Sequence, residues 1–121
     1  MTYEQASAVI TNIFRGASYG FRVQVLDEEG DPANLTGTLC LLRVANSWSD
    51  PESFLEIEGH FVNEEKGRVR FDFEPEHTED LLAVAYDVTV VVREVATGEE
   101  WPVLRDRIGI LGTNNPIGGE S

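Results

Sequence analysis

The chain has 121 residues, 41% of them hydrophobic and 26% charged, the size and balance of one globular domain with its own core. Its formal charge is −13, from 22 acidic and 9 basic residues, so its surface repels phosphate backbones and anionic membranes and makes nucleic acid and lipid poor partners. A single cysteine, Cys40, rules out an internal disulfide, and no apolar run approaches the roughly 20 residues that span a bilayer as a helix.

The first residues, 1–8, lack the basic and apolar regions of a secretory signal and read as an N-terminal arm. A first β run covers 9–15 and stops at Gly16. In the second, 19–26, Phe21, Val23 and Val25 alternate with Arg22 and Gln24, the period of a half-buried strand. Asp27-Glu28-Glu29-Gly30-Asp31-Pro32 is a turn, because Gly30 accepts positive φ and Pro32 cannot donate to a ladder. A third run covers 38–44. The irregular polar stretch 45–53 holds Trp48, and weak strands are expected over 54–57 and 60–63.

Glu64-Glu65-Lys66-Gly67 is a second turn. Beyond it, Val69, Phe71 and Phe73 alternate with Arg68, Arg70 and Asp72, the cleanest amphipathic strand of the chain. Pro75 ends that strand, and 75–82 suits one short helical turn, with Leu81 and Leu82 placed to plug an end of the core. The β-branched run 84–94 follows, then a hairpin turn at Ala96-Thr97-Gly98-Glu99 and a last strand over 100–111. Asp106 shares a face with Leu104, Ile108 and Ile110, which calls for a bulge or an open sheet end there. Residues 112–121 have the composition of a flexible C-terminal tail. About seven short strands with regular turns predict an all-β fold, an immunoglobulin-like sandwich over 9–111 with at most one short helical turn.

The chemistry-bearing residues do not converge. His60 and His77 lie apart with no Cys or His at ligand spacing, so no zinc set is legible. The serines lack a nucleophile elbow, and no glycine-rich phosphate loop precedes a helix. Asp27, Glu29 and Asp31 alternate as calcium ligands do, but Gly30 precedes the third acid where the calcium loop wants glycine after it. No cofactor, metal or catalytic residue is expected; the reading is a binding or structural module and not an enzyme. Phe14, Phe21, Phe71, Phe73 and Tyr86 read as core. Trp48, in a polar loop, and Trp101, just after a turn, read as partner contacts together with Asp27, Glu29 and Asp31. Val91, facing outward near Val95, adds to a contact surface. Two exposed tryptophans on a sandwich also suit a carbohydrate-binding module, which requires Trp48 and Trp101 to form one flat platform.

Ile13-Phe14-Arg15-Gly16-Ala17-Ser18-Tyr19-Gly20-Phe21-Arg22-Val23, the acidic turn with Gly30 and Pro32, and Leu35-Thr36-Gly37 opening the next strand form one ordered pattern. Gly67-Arg68-Val69, the 78–82 segment, Tyr86-Asp87-Val88 and Ile108-Gly109-Ile110 continue it, so that it spans about 10–111. This pattern resembles small tailed-phage structural proteins, among them the N-terminal immunoglobulin-like domain of phage baseplate upper proteins. The family often has glycine where Val84-Ala85 and Asp106 stand, which bears on turn detail. The resemblance implies a structural virion protein: a tail or baseplate adaptor, or alternatively a capsid decoration protein. It implies other virion proteins as partners, a homo-oligomer in the particle, and synthesis in the host cytoplasm. Baseplate upper proteins continue into a stalk and a receptor-binding platform; this chain is expected to be the docking module alone.

Overall fold

A computed structural model describes residues 3–8, 12–47 and 53–112. Two sheets face each other. The first has the order β1 (Tyr3–Ala8), β3 (Tyr19–Asp27), β7 (Arg68–Phe73), β6 (His60–Asn63). The second has the order β2 (Ile13–Phe14), β9 (Glu100–Leu111), β8 (Ala85–Glu94), β4 (Thr38–Ala45), β5 (Leu55–Glu58). A 3-10 turn over Glu64–Lys66 and one helical turn, α1 (Pro75–Thr78), complete the described elements. With the two-residue β2 set aside, this is the immunoglobulin arrangement: first, second, sixth and fifth strands in one sheet, third, seventh and eighth in the other, with an extra strand beside the third. No helix among the described residues is long and apolar enough to cross a membrane.

The core is the product of period-two alternation on both sheets. Phe21 and Val23 of β3 pair with Phe71 and Val69 of β7, and these four point inward together with Val25. Cys40, Leu42 and Val44 of β4 meet them from the other sheet, with Tyr86, Val88, Val90 and Val92 of β8. Each fully buried side chain of this kind contributes about 1.5–3 kcal/mol. Burial pushes the Cys40 thiol up to about 12, so it sits in the core as a small hydrophobe.

Four expectations change. Within the stretch 1–8 expected to be an arm, Tyr3–Ala8 is an edge strand of the sandwich, antiparallel to β3, with Tyr3 in the core and its hydroxyl donating to the Asn34 carbonyl at 3.3 Å. A bulge between Tyr3 and Gln5 breaks the alternation that would have marked it. Of the run 9–15, Ile13–Phe14 pairs with β9 in parallel; Ile13 is buried but Phe14, read as core, is 57% exposed. Leu82 does not plug the core either, being 72% exposed, while Leu81 packs against it. Val91 faces outward but is only 4% exposed, so it is no contact surface. Leu41, its partner on β4, is equally buried. Arg43 reaches from β4 across β8 to Glu100 of β9 on this same outer face.

The carboxylate of Asp106 does share the inner face, opposite Val88. The register shifts between Val90 and Val91, opposite Leu104 and Pro102, which places an extra, buried residue, Val103, in β9 just before it. Asp106 stays half-buried, and its Oδ1 accepts the Arg107 N–H at 2.8 Å. Apart from Gly112, the tail expected over 112–121 lies outside the described residues.

Candidate docking surfaces

The acidic turn after β3 is built by one of its own carboxylates. Asp27 Oδ1 accepts the N–H groups of Glu29 (2.9 Å) and Asp31 (3.1 Å), and the Asp27 carbonyl accepts that of Gly30 (3.0 Å). This is an Asx-type turn, which explains why an acid stands at the first position and glycine, at φ 84°, at the fourth. Glu28, Glu29 and Asp31 project into solvent. Among the described residues no group of three or more His, Cys, Asp or Glu side chains is arranged to hold a metal ion. The histidines have local roles: His77 Nδ1 accepts the Glu74 N–H at 2.8 Å to cap α1, and His60 lies 3.5 Å from Asp72.

Trp101 covers an edge of the core. It is half-buried and meets the Tyr3 ring edge-to-face with centroids 5.2 Å apart, tying β9 to the outer strand of the opposite sheet. Trp48 lies outside the described residues. The acidic turn and Trp101 are therefore separate features linked through β1: Asp27 pairs with Tyr3, whose ring Trp101 touches.

A surface not legible in the sequence lies at one end of the five-stranded sheet. Phe14 pairs with Leu111, and Arg15 N–H donates to the Leu111 carbonyl at 2.8 Å. The Val84 carbonyl accepts the Ile110 N–H at 3.0 Å, and the Leu82 carbonyl accepts the Tyr86 hydroxyl at 3.1 Å. Phe54 packs edge-to-face on Tyr86, centroids 5.3 Å apart. Phe14, Phe54, Leu82, Val84 and Leu111, all exposed, thus crowd one rim. An acid-coated domain normally keeps such groups inside; gathered together outside, they form the kind of patch that partners cover. Ala45 and Phe54, near the two ends of the segment that carries Trp48, lie at this same end.

The rim is held firmly. Thr78, fully buried, accepts the Gly16 N–H on its hydroxyl at 2.9 Å, and Arg15 donates to the Leu81 carbonyl at 3.1 Å. These bonds fasten the end of α1 and the segment after it to the turn after β2, so the side chains of that segment and of β2 stand on fixed backbone.

On the outer face of the same sheet, Glu100 takes two hydrogen bonds from Arg43 (2.9 and 2.8 Å) and two from Arg93 (2.8 and 2.6 Å), and Arg43 also donates to Glu56 at 2.7 Å. The Arg43 bonds, opposed by partial burial and reinforced by Arg93, hold the Glu100 carboxyl down to about 2. This network joins β5, β4, β8 and β9. Its charges are mutually satisfied, so it binds the sheet together and offers no open site.

No protein-family model matches the chain, and no curated protein shows significant sequence similarity to it. Among solved structures, the fold is similar to the N-terminal domain of phage TP901-1 ORF48, with a TM-score of 0.60 at 11% identity over 85% of each chain. It is also similar to the Lin-41 filamin domain, with a TM-score of 0.50 at 17% identity, over 88% of this chain and 92% of that one. Likeness at these identities establishes the immunoglobulin-like fold and nothing more specific.

Proposed function

We propose that this chain is a structural protein of a tailed-phage particle, an adaptor module of the tail or baseplate that acts by docking on other virion proteins. The observation that carries the docking role is the rim of Phe14, Phe54, Leu82, Val84 and Leu111: five exposed large apolar side chains at one end of a strongly acidic domain. The virion assignment is supported by the resemblance of the ordered sequence pattern to baseplate-type domains and by the fold likeness to the phage TP901-1 ORF48 domain. Trp48, whose segment leaves the sheet at this rim, Trp101 and the turn residues Asp27, Glu29 and Asp31 are proposed as further contacts. In a symmetric particle, individually weak contacts of this kind add through multivalency.

The test is incorporation. Tagged wild-type chain supplied during infection should be found in purified particles, and F14S and L82S chains, which keep their fold because neither side chain is buried, should be depleted from them. A monomeric wild-type chain absent from purified particles would overturn the assignment.

A further inference from the structure

The outer face of the four-stranded sheet has the opposite character to the rest of the molecule. Side chains on this face come from alternate positions of β1, β3, β7 and β6. Across β3 and β7, Arg22 pairs directly with Arg70, and Gln24 with Arg68. Like charges placed opposite each other in a sheet are unfavourable. Arg70 is neutralised by Asp72, whose Oδ1 accepts its Nε–H at 2.9 Å. Arg22 forms no ion pair among the described residues, and Arg68 makes only a 3.4 Å contact with Gln24 Oε1. Both are exposed.

These two arginines border a groove of about 500 Å³ that runs over β3 between β1 and β6. Ser7, Ala8, Val23, Gln24 and Val62 also line it, and none of the described lining residues is acidic. Gln24 is fixed in place, donating to the Lys66 carbonyl at 2.7 Å and to the Val25 carbonyl at 3.1 Å. The groove therefore combines two guanidinium groups that form no ion pair among the described residues, a held amide, a hydroxyl and the apolar side chain of Val62. In a chain with 22 acids and 9 bases, this is a cationic site whose two arginines meet no carboxylate among the described residues.

We infer that this groove binds an acid-rich polypeptide segment of a partner protein, whose carboxylates pair with Arg22 and Arg68. Guanidinium groups suit carboxylates because their paired donors match the two oxygens. Charge also selects among anionic partners. A nucleic acid is a continuous polyanion and would run beyond the groove onto the surrounding acidic surface. A second copy of this chain would bring −13 against −13. A segment with a few clustered carboxylates matches the groove without that repulsion. The inference goes beyond the virion assignment and does not rest on it.

The experiment is a titration of the isotope-labelled full chain with capped hexaglutamate, followed by amide chemical shifts, with hexalysine as control. Shifts should concentrate at Ser7, Arg22, Gln24, Val62 and Arg68, and binding should weaken at least about tenfold as salt rises from about 0.05 to about 0.5 M. R22E and R68E should each weaken it at least about tenfold. R105E should not, although it changes net charge equally, because Arg105 is exposed on the other sheet. Unchanged shifts elsewhere establish that each variant is folded. Equal loss in R105E, or no shifts at the groove, would overturn the inference. So would tighter binding of a single-stranded oligonucleotide than of hexaglutamate. Salt-sensitive self-association abolished by R22E would assign the groove to a second copy instead. Incorporation of R22E into particles is a separate readout, so failure here leaves the virion reading standing.

Discussion

Replacing Gly67 by alanine should be among the most damaging single-methyl changes this fold can receive, and Gly98 supplies its internal control. Both residues close turns with left-handed backbone, φ 70° and 77°. An L-residue pays about 1–2 kcal/mol for that conformation at either site. The sites differ in surroundings. A Cβ at Gly98 would meet nothing within 4 Å, whereas at Gly67 it would stand 2.5 Å from the Val25 carbonyl oxygen and 2.8 Å from that of Ala33. Relief to an ordinary C···O separation of about 3.3 Å moves one segment by roughly 0.8 Å. The backbone there has no slack: Val25 N–H donates to the Gly67 carbonyl at 2.8 Å, Ala33 N–H to the Val25 carbonyl at 3.0 Å, and Val25 and Ala33 are fully buried. Weakening two such hydrogen bonds at about 1 kcal/mol each, with about 1 kcal/mol of disturbed packing, adds about 3 kcal/mol to the conformational term. G67A should therefore lose about 4–5 kcal/mol and G98A about 1–2 kcal/mol. Urea unfolding followed by circular dichroism measures both, with equal slopes establishing that the unfolded states are alike. Equal losses in the two variants, or a loss in G67A below about 2 kcal/mol, would refute the steric argument.

Glu100 should give the fold an acid-labile increment. Its folded value near 2 lies below the ordinary 4.5, so its stabilisation is complete above about 4.5 and is lost as pH falls toward about 2. Because the network is partly exposed, the increment is about 1 kcal/mol, and E100Q should unfold in urea with a flatter dependence on pH over that range. Cys40, buried and pushed up to about 12, should resist alkylation at pH 8 in the native protein and react at the rate of unfolding; rapid native labelling would contradict its burial. T78V keeps side-chain volume but removes the acceptor of the Gly16 N–H, and should cost about 1–3 kcal/mol in the same unfolding assay. L82S, at a 72% exposed position, should change stability by less than about 0.5 kcal/mol.

The strands legible from sequence are those whose alternation is unbroken. In β3 and β7 every second residue is large and apolar, because one face of each is core and the other is water. In β4 and β8 both faces carry buried residues, yet β-branched content and length still marked them. β1 was missed because its inward residues, Tyr3, Ala6 and Ala8, are spaced unevenly by the bulge and two of them are small. Phe14 was misread because β2 is two residues long and gives no period to judge a face by. Leu82 follows a helical turn, where neither periodicity applies.

The surfaces were less legible than the fold for a related reason. Trp101 and the acidic turn were visible as residue types, but only the ring of Tyr3 shows that Trp101 covers a core edge. The apolar rim draws on positions 14, 54, 82, 84 and 111, and the cationic groove on four different strands. Neither is a pattern along the chain. Alternation of apolar and polar side chains is a local property, so the sequence alone determined the all-β class, the two-sheet core and the positions of the main turns. Which exposed groups become neighbours depends on strand order and register across the sheets. Long-range pairing sets these, so only the tertiary structure decided where the apolar rim and the cationic groove lie.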